Sequence, residues 1–525
     1  MSSDRSLLSV FADAISALVA GLDTRTVLVL SATGVVSYAV YYAIRLVRRD
    51  RKIKSLGGRA HMIYNNPISG AKVIYGIGKA VSENRLKDFY DDLFAGRTVV
   101  EGQMTLGIRS IVTREPEHVK AMLATDFASF GKGEGFHQVA EPFLGDGIFS
   151  TDGKLWQDSR NLIRPFFVNE RVRDLDIFER GVQKLISKLP PSGQTVEIMN
   201  LINRMTFDAI TDFLLGSPAN SLDNPASAFM EAFDTVQREQ MLILTTWPFD
   251  ALVPKKVYHA CVKKINDFIA PYIQQTLCLS VAELEELTKS DRDFTFLHGL
   301  ATFTRDPKVI RDQLIAILLA GRDTTAATLS WCLYELSAHP DKYTRLRQEV
   351  LDVVGRHDAP TYQSLKDMKY LRYTIQETLR LYPAVPVNVK VALKDTTLPA
   401  TATSPPIGVC QWDSVAWGPL TIQLRKDLYP PTTDDFADPH EFSPERWYVW
   451  QPKPWEYVPF NGGPRVCIGQ NFANTEMAYV LVRILQKYKS IEFRGNRAAQ
   501  LRTAEMVAKP SIGVPLAMYE AADDE

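Results

Sequence analysis

The chain has 525 residues, which suits one large catalytic domain or two to three ordinary ones. Apolar residues make up 46% of the sequence and charged residues 23%, proportions that exclude a disordered chain. The net charge of −1 at pH 7 gives no indication of a nucleic-acid partner.

The cysteines exclude two further classes of protein. There are five, scattered without paired spacing: Cys261, Cys278, Cys332, Cys410 and Cys467. This pattern predicts neither a disulfide framework nor a zinc site, and it fits a reducing compartment best.

The N-terminal region predicts a membrane anchor. Residues 27–44 form an 18-residue stretch without a charged side chain, just long enough to cross a bilayer. Tyr38, Tyr41 and Tyr42 lie at its C-terminal end, where aromatic side chains favour the membrane interface. We divide the chain into an N-terminal segment, an anchor, a basic linker and one globular domain: 1–26, 27–44, 45–59 and 60–525.

Basic residues after the apolar stretch predict its orientation. They are Arg45, Arg48, Arg49, Arg51, Lys52 and Lys54. Positive charge on this side places the downstream chain in the cytosol, and the features of a cleaved signal peptide are missing. A soluble protein with a buried helix is the alternative. Residues 7–22 form a second apolar stretch, interrupted by Asp13, which predicts an interfacial or lumenal helix.

The rest of the chain predicts a mainly helical fold with small β parts near each end. Short β-like runs, such as 72–75 and 110–112, occur between residues 60 and 115. Apolar positions then recur at three- and four-residue spacing to about residue 380. Proline becomes frequent after Pro383, and irregular structure is expected until a helix after Cys467.

A long helix is predicted from Asp306-Pro307 to the stop at Pro340. Its middle, 314–320, is apolar all round and therefore buried on every side. Gly-Arg-Asp-Thr-Thr follows directly at 321–325, and such a polar cluster in a buried helix is costly unless it is paired or used. The alternative is that these residues cap a new helix, but apolar residues beyond them favour continuation.

Two further segments carry spacing signals. Glu377 and Arg380 lie three apart on one predicted helix face, where they can pair, although such pairs are usually solvated. Trp156 and Arg160 lie four apart on another helix. Between 398 and 423 a strand is expected, but Trp412-Asp413 and Pro419 interrupt it, which indicates divergence or a misread exon junction.

Cys467 has the most informative surroundings in the chain. It lies between a glycine-rich turn, Asn461-Gly462-Gly463, and a predicted helix. A thiol ahead of a helix N-terminus favours the thiolate, and glycines let a flat cofactor approach the backbone. Such a thiolate can be an axial ligand of haem iron. The alternative is a buried structural cysteine.

The segment 460–469 resembles the haem-ligand signature of the cytochrome P450 family, the haem-thiolate monooxygenases. The matching positions are Phe460, Gly463, Arg465, Cys467 and Gly469. Further segments resemble family motifs in the family's order: 156–160, 320–325, 377–380 and 442–447. The resemblance spans about residues 60–520 and implies the family fold, mainly α with small β-sheets.

The resemblance implies how the chain would hold its cofactor. Cys467 would be the axial ligand of the haem iron, and Arg465 would pair with a haem propionate. Trp156 and Arg160 would form a propionate clamp, and Lys390 stands where relatives often carry a further basic partner. Two more residues of the signature are assigned to cofactor binding: Phe460 and Gly469.

The resemblance also implies catalytic and supporting roles. Thr324 would hydrogen-bond the bound dioxygen, and Asp323 would help to relay protons. Glu377, Arg380 and Arg446 would form a buried ionic network that holds the ligand loop.

The cofactor and partners follow from the same resemblance. The chain would bind haem b and use NADPH indirectly, through NADPH–cytochrome P450 reductase, with cytochrome b5 as a candidate further partner. It would be a single-pass protein of the endoplasmic reticulum membrane with a cytosolic catalytic domain, in contact with lipid and an apolar small-molecule substrate, and not with nucleic acid.

The substrate is predicted from two segments, 144–167 and 382–388, which look most like those of fungal alkane and fatty-acid hydroxylases. Val385, Val387, Ile317 and Leu319 would form an apolar wall. Hydroxylation of long-chain fatty acids or alkanes is the leading hypothesis, and a xenobiotic or secondary-metabolite hydroxylase is the nearest alternative. A reductase-independent isomerase or a non-enzymatic haem protein would not need the Asp323-Thr324 pair.

Overall fold

The computed structural model describes residues 23–64, 67–103, 108–168, 172–225, 228–246, 250–288, 294–433, 436–503 and 505–522. The helix predicted over 7–22 lies outside the described residues.

Helices make up most of the described chain. In order they are α1 Thr24–Leu56, α2 Pro67–Ser82, α3 Leu86–Phe94, α4 Pro116–Lys120, α5 Glu134–Leu144, α6 Gly153–Ile163, α7 Pro165–Val168, α8 Val172–Ser187, α9 Ile198–Leu215, α10 Ala228–Thr246, α11 Lys256–Cys278, α12 Val281–Thr288, α13 Phe296–Phe303, α14 Pro307–Leu336, α15 Pro340–Val353, α16 Tyr362–Asp367, α17 Lys369–Leu381, α18 Pro419–Ile422, α19 Arg446–Val449 and α20 Gln470–Lys487.

Short strands form three small sheets. The strands are β1 His61–Tyr64, β2 Val99–Gln103, β3 Arg109–Thr113, β4 Phe130–Gly131, β5 Thr195–Glu197, β6 Asn388–Ala392, β7 Thr396–Leu398, β8 Ile407–Val409, β9 Ser414–Trp417, β10 Tyr488–Phe493 and β11 Pro515–Glu520. The largest sheet has the order β1-β2-β3-β9-β6-β4, and the others are β10-β11-β5 and β7-β8. The fold is therefore mainly α with small sheets, as predicted.

One hydrophobic core holds the helices together, and a second cluster packs at the largest sheet. Helix α14 runs through the main core and is buried over most of its length. Asp306 caps it, accepting hydrogen bonds from the Lys308 and Val309 N–H groups, and Pro307 is its first residue. Each fully buried Leu or Ile of such a helix stabilises the fold by about 1.5–3 kcal/mol. The predicted long helix is confirmed, and it does not end at the polar cluster.

Helix α1 differs from the prediction at its C-terminal end. In the described part of the chain it is the one helix long and apolar enough to cross a membrane. Residues 45–56 of the predicted basic linker, 45–59, continue this helix, because Arg and Lys are good helix formers. Gly57 and Gly58 then end it, with φ angles of 145° and 125° that favour glycine.

In two other segments the local sequence pattern did not predict the secondary structure correctly. The β-like run at 72–75 lies within helix α2, because a short apolar run does not distinguish helix from strand. The segment 398–423 is ordered: β9 pairs with β3 and β6, and Pro419 begins α18 as its first residue. The irregularity that Trp412-Asp413 introduces is the turn between β8 and β9.

Candidate active site

Cys467 lies in a turn immediately before helix α20. The Cys467 N–H donates to the Phe460 carbonyl at 2.8 Å, which closes the turn. Gly469 is the N-cap residue of α20, and the Phe460 ring packs against the main core. The predicted position of the thiol at a helix N-terminus is confirmed.

The Cys467 sulfur lies in a recess rather than in packed core. The residue is accessible, yet enough protein surrounds it that burial raises the pKa of its thiol. The Gly469 N–H and the Arg160 guanidinium offset part of that rise in pKa. The helix N-terminus alone therefore does not ionise this thiol, and a bound cation is needed to stabilise the thiolate.

The glycines of the turn bring its backbone against neighbouring groups. Gly463 has φ 59°, and a Cβ there would lie 1.9 Å from the Leu123 carbonyl oxygen. A Cβ on Gly462 would lie 2.3 Å from the Trp455 ring. A side chain at either position would displace the turn that carries Cys467.

Arg465 extends from this turn to helix α6. Its guanidinium donates to the Asp152 carboxylate at 2.6 Å and to the Thr151 carbonyl at 2.9 Å, and it lies over the Trp156 ring at 4.7 Å. Arg160, one helical turn after Trp156, donates to the Val466 carbonyl at 3.0 Å. The sequence-predicted Trp156, Arg160 and Arg465 are therefore brought together beside Cys467.

Two lysines add to this cluster of positive charge. Lys390, on β6, is 3% exposed, and its ammonium is buried without a hydrogen-bond partner in the described part of the chain. Burial first, and then Arg465 and Lys132, lower the pKa of Lys390 to about 6. Burial and Arg465 likewise lower the pKa of Lys132 to about 8, with Asp152 opposing both shifts.

This arrangement fits haem b. Four basic side chains, those of Arg160, Arg465, Lys390 and Lys132, lie in this cluster with the single carboxylate of Asp152. The low pKa of Lys390 reflects the cost of adding buried positive charge without a compensating anion. The Nε of Arg465 is a second buried donor without a partner among the described residues. Two propionate carboxylates would supply the missing acceptors, and the accessible Cys467 thiol would hold the iron.

Helix α14 presents an accessible face in the middle of its buried length. Leu319, Ala320, Asp323 and Thr324 are only partly buried, whereas Ile317 is 4% exposed and belongs to the core. These four positions repeat with helical spacing, so they line one opening. Ile317 is therefore not part of the wall to which the sequence assigned it.

The polar pair on this face is held in place. The Thr324 hydroxyl donates to the Ala320 carbonyl at 2.7 Å. The Asp323 carboxylate lies 3.3 Å from the Arg322 guanidinium, which also pairs with Asp234 at 2.6 Å. The polar cluster is thus paired, and the hydroxyl of Thr324 keeps its acceptor capacity for a group in the opening.

A buried acid on helix α20 lies behind this face. Glu476 is 1% exposed, and its Oε1 has no hydrogen-bond partner among the described residues. Burial raises the pKa of Glu476 to about 8, and the Thr325 side chain offsets part of that rise. A protonated carboxylic acid is therefore placed beside the residue that follows Thr324.

Glu377, Arg380 and Arg446 form the predicted buried ionic network. The Glu377 and Arg380 side chains are fully buried and joined by two bonds, at 2.7 and 2.8 Å, and Arg446 Nε lies 3.4 Å from Glu377. Glu377 also accepts from the Ser443 N–H at 2.9 Å and the Trp447 indole at 3.0 Å. The network therefore joins helix α17 to the segment before the ligand loop.

Three residues of the site were missed from the sequence: Asp152, Lys132 and Glu476. Asp152 receives the Lys132 and Gly133 N–H groups as well as Arg465. In the sequence, Asp152 looks like an ordinary N-cap residue of helix α6, and Lys132 looks like an ordinary turn residue after a glycine. Only Glu476, a charged residue within an apolar helical pattern, carried a signal that could have been used.

Comparisons with known proteins agree on one family. The family model described as Cytochrome P450 matches residues 77–408 and 428–513. Cytochrome P450 monooxygenase pvhE of Talaromyces variabilis is 42% identical, over 92% of this chain and 94% of its own length. Cytochrome P450 52A13 of Debaryomyces hansenii is 38% identical, over 81% of this chain and 84% of its own.

A solved structure gives the same fold. The crystal structure of the cytochrome P450DA heme domain superposes with a TM-score of 0.72, covering 89% of this chain and 98% of that chain. At 20% sequence identity this likeness shows the fold alone.

Proposed function

The chain belongs to the cytochrome P450 family, and we propose that within this family it hydroxylates long-chain fatty acids or alkanes at the endoplasmic reticulum membrane. Members of the family are haem monooxygenases that receive electrons from a redox partner. The observation that carries the assignment of the site is the accessible Cys467 thiol next to a cluster of four basic side chains and one carboxylate.

Haem b, when bound, supplies the activation of dioxygen with electrons from a reductase. Cys467 would hold its iron, and Arg160, Arg465, Lys390 and Lys132 would hold its propionates, with Trp156 packed beside them. The turn that carries Cys467 stays in position because Gly463 lies against the Leu123 backbone.

Proton transfer would depend on the open face of α14. The Thr324 hydroxyl both donates and accepts, so it would orient a reacting group and pass a proton to it. Asp323 would supply that proton from the solvent side, since its carboxylate is 16% exposed and held by Arg322. Both roles depend on Asp323 and Thr324 being accessible, although most of helix α14 is buried.

Three aliphatic side chains of the predicted wall support the proposal of an apolar substrate. Leu319 on α14 and Val385 and Val387 after α17 are partly exposed aliphatic side chains. They offer no hydrogen-bond partners, which suits an alkyl chain. The resemblance of 144–167 and 382–388 to fungal alkane and fatty-acid hydroxylases favours the same substrates, and the relatives include fungal proteins, cytochrome P450 52A13 of Debaryomyces hansenii and cytochrome P450 52A1 of Candida tropicalis.

The endoplasmic reticulum anchor is proposed from helix α1. Its apolar part is exposed, with Leu28 at 65% and Val35 at 69%, so it packs against nothing in the described chain. Lipid is the natural partner of such a surface.

The assignment is tested in two steps. Full-length protein is reduced under carbon monoxide, and we expect a thiolate-type Soret band together with NADPH-dependent oxygen uptake when reductase is added. The protein is then incubated with alkanes and with medium- and long-chain fatty acids. Hydroxylated products are expected, and no turnover of any chain length would refute the substrate class while leaving the monooxygenase assignment intact.

A further inference from the structure

The basic end of helix α1 is packed onto the globular domain. Ile53 is fully buried, and the Leu56 carbonyl accepts from the Thr397 hydroxyl at 2.5 Å. Arg49 pairs with the buried Asp413 at 2.5 Å. Because 49, 53 and 56 follow helical spacing, one face of α1 is part of the domain surface.

Close backbone contacts fix the same end of the helix. The Gly408 N–H donates to the Gly58 carbonyl at 3.0 Å. A Cβ on Gly408 would lie 2.3 Å from the Ile53 carbonyl oxygen, so glycine is required for this approach. The helix therefore meets the domain through its backbone and not only through long side chains.

A chain of alternating charges extends the contact. Asp413 also pairs with Arg109 at 2.9 Å, Arg109 pairs with Glu101, and Glu101 pairs with Arg59 at 2.7 Å. Asp413 and Glu101 have no exposed side-chain surface. Removing one partner from such a buried network leaves an uncompensated charge, so the contact holds α1 firmly.

One unusual side chain lies beside this contact. Trp412, directly before Asp413, is 58% exposed and has a φ of 72°, an uncommon and costly conformation for a non-glycine residue. The partner of Asp413 across the contact, Arg49, follows the end of the apolar stretch by five residues, roughly 7 Å along the helix. The headgroup layer on each side of a bilayer is itself roughly 5–8 Å thick.

We infer that the Trp412 turn is a second membrane contact, in which the indole enters the headgroup layer of the bilayer that α1 crosses. Indole rings favour this layer because they are amphipathic. With α1 packed against the domain at one end and Trp412 in the lipid, the catalytic domain is held in one orientation. This inference rests on the proposed membrane anchoring and adds to it a lipid-binding residue outside the anchor.

The lipid contact is tested with full-length holoenzyme in phosphatidylcholine vesicles. The tryptophan emission that W412F lacks is assigned to Trp412. We expect lipids with brominated acyl chains to remove most of this emission and aqueous iodide to remove little. Quenching by iodide and not by brominated lipid would overturn the inference.

The fixed orientation is tested by the tilt of the haem in aligned bilayers, measured by linear dichroism. R49Q removes the charge that binds Asp413. R48Q is the matched control, because Arg48 is exposed and because each of the two substitutions removes one tryptic site. G408A displaces α1 without a change in charge. We expect wild type and R48Q to share one tilt, and R49Q and G408A to lose it and to be cut by trypsin within 45–58 several-fold faster.

The outcomes separate this inference from the proposals on which it rests. Flotation with vesicles reports membrane anchoring, and the Soret band reports the haem site. Variants that float and bind haem, yet keep the wild-type tilt and tryptic stability, would overturn the fixed orientation.

Discussion

At the scale of single residues, the site is marked by buried polar atoms without partners. Lys390 Nζ and Arg465 Nε lie at the expected propionate position, and Glu476 Oε1 lies behind Thr324. Buried polar groups are normally hydrogen-bonded, so each exception requires an explanation. At the propionate position the explanation is a ligand with acceptors, and at Glu476 it is a carboxyl group that stays protonated.

Lys390→Met is expected to act in opposite directions on the two forms of the protein. The folded chain without haem releases the Lys390 proton at a pKa of about 6, whereas the unfolded chain holds it up to 10.5. The unfolded state therefore binds more protons between these values, and the stability of the haem-free protein rises with pH in this window. The methionine variant should lose this dependence, melt at a higher temperature at pH 7 and release haem faster.

The measurements for Lys390 are thermal melts of haem-free protein and the rate of haem transfer to an acceptor protein. Lys394→Met, at an exposed position four residues away, is the control and should change neither. Haem retention unchanged by K390M would contradict the role of Lys390 as a propionate partner.

Glu476→Gln is expected to change how stability depends on pH. Burial raises the pKa of Glu476 from 4.5 to about 8, so the folded state holds a proton that the unfolded state releases. Wild-type stability should therefore fall relative to E476Q as pH rises from about 4.5 to 8. Melting temperatures at pH 5 and pH 8 measure this, with exposed Glu231→Gln as control. A parallel pH response of E476Q and wild type would show that Glu476 is ionised.

At the scale of elements, the turn that carries Cys467 is held by a backbone contact on one side and by an ionic network on the other. Gly463 gives the turn its approach to the Leu123 carbonyl. The Glu377–Arg380–Arg446 network joins α17 to the chain that leads into the turn. Neither element supplies the expected iron ligand, so both act by positioning Cys467.

Arg380→Ala is expected to yield protein without haem. Removing Arg380 leaves the fully buried Glu377 without its main partner, which costs roughly 3–5 kcal/mol. The absorbance of bound haem per protein measures the effect. Arg372→Ala is the matched control, because Arg372 is exposed on the same helix. Full haem incorporation by R380A would refute the role of the network.

Gly463→Ala is expected to reduce haem content by more than the cost of placing alanine in a left-handed conformation explains. A left-handed alanine costs roughly 1–2 kcal/mol, and the added Cβ would also meet the Leu123 oxygen at 1.9 Å. Gly96→Ala separates the two effects, since Gly96 has φ 81° and no atom within 4 Å of its Cβ position. We expect G96A to keep its haem and G463A to lose most of it; equal haem content would contradict the contact.

At the scale of the whole molecule, helix α14 carries the open face through the main core, and the largest sheet joins three separate parts of the chain. β6 carries Lys390 to the site, while β9 follows Asp413, which receives α1. The sheet thus connects the expected cofactor site to the proposed anchor. The proposed anchor helix and the globular domain meet through a packed interface.

The sequence by itself determined the features that depend on neighbours along the chain. The cap at Asp306, the long helix α14 and the turn before α20 follow from short-range spacing, capping and glycine geometry. So does the facing of Glu377 and Arg380 across one helical turn. It also indicated the fold class, because amphipathic spacing reports burial.

Only the tertiary structure decided the contacts between distant segments. Lys132 and Lys390 share one cluster although 258 positions separate them in the sequence. Arg49 and Asp413 pair across an even longer separation, and this pair packs the end of α1 onto the domain. Single residues of this kind carry no local signal, because their effect comes from burial and from charges that folding alone brings near.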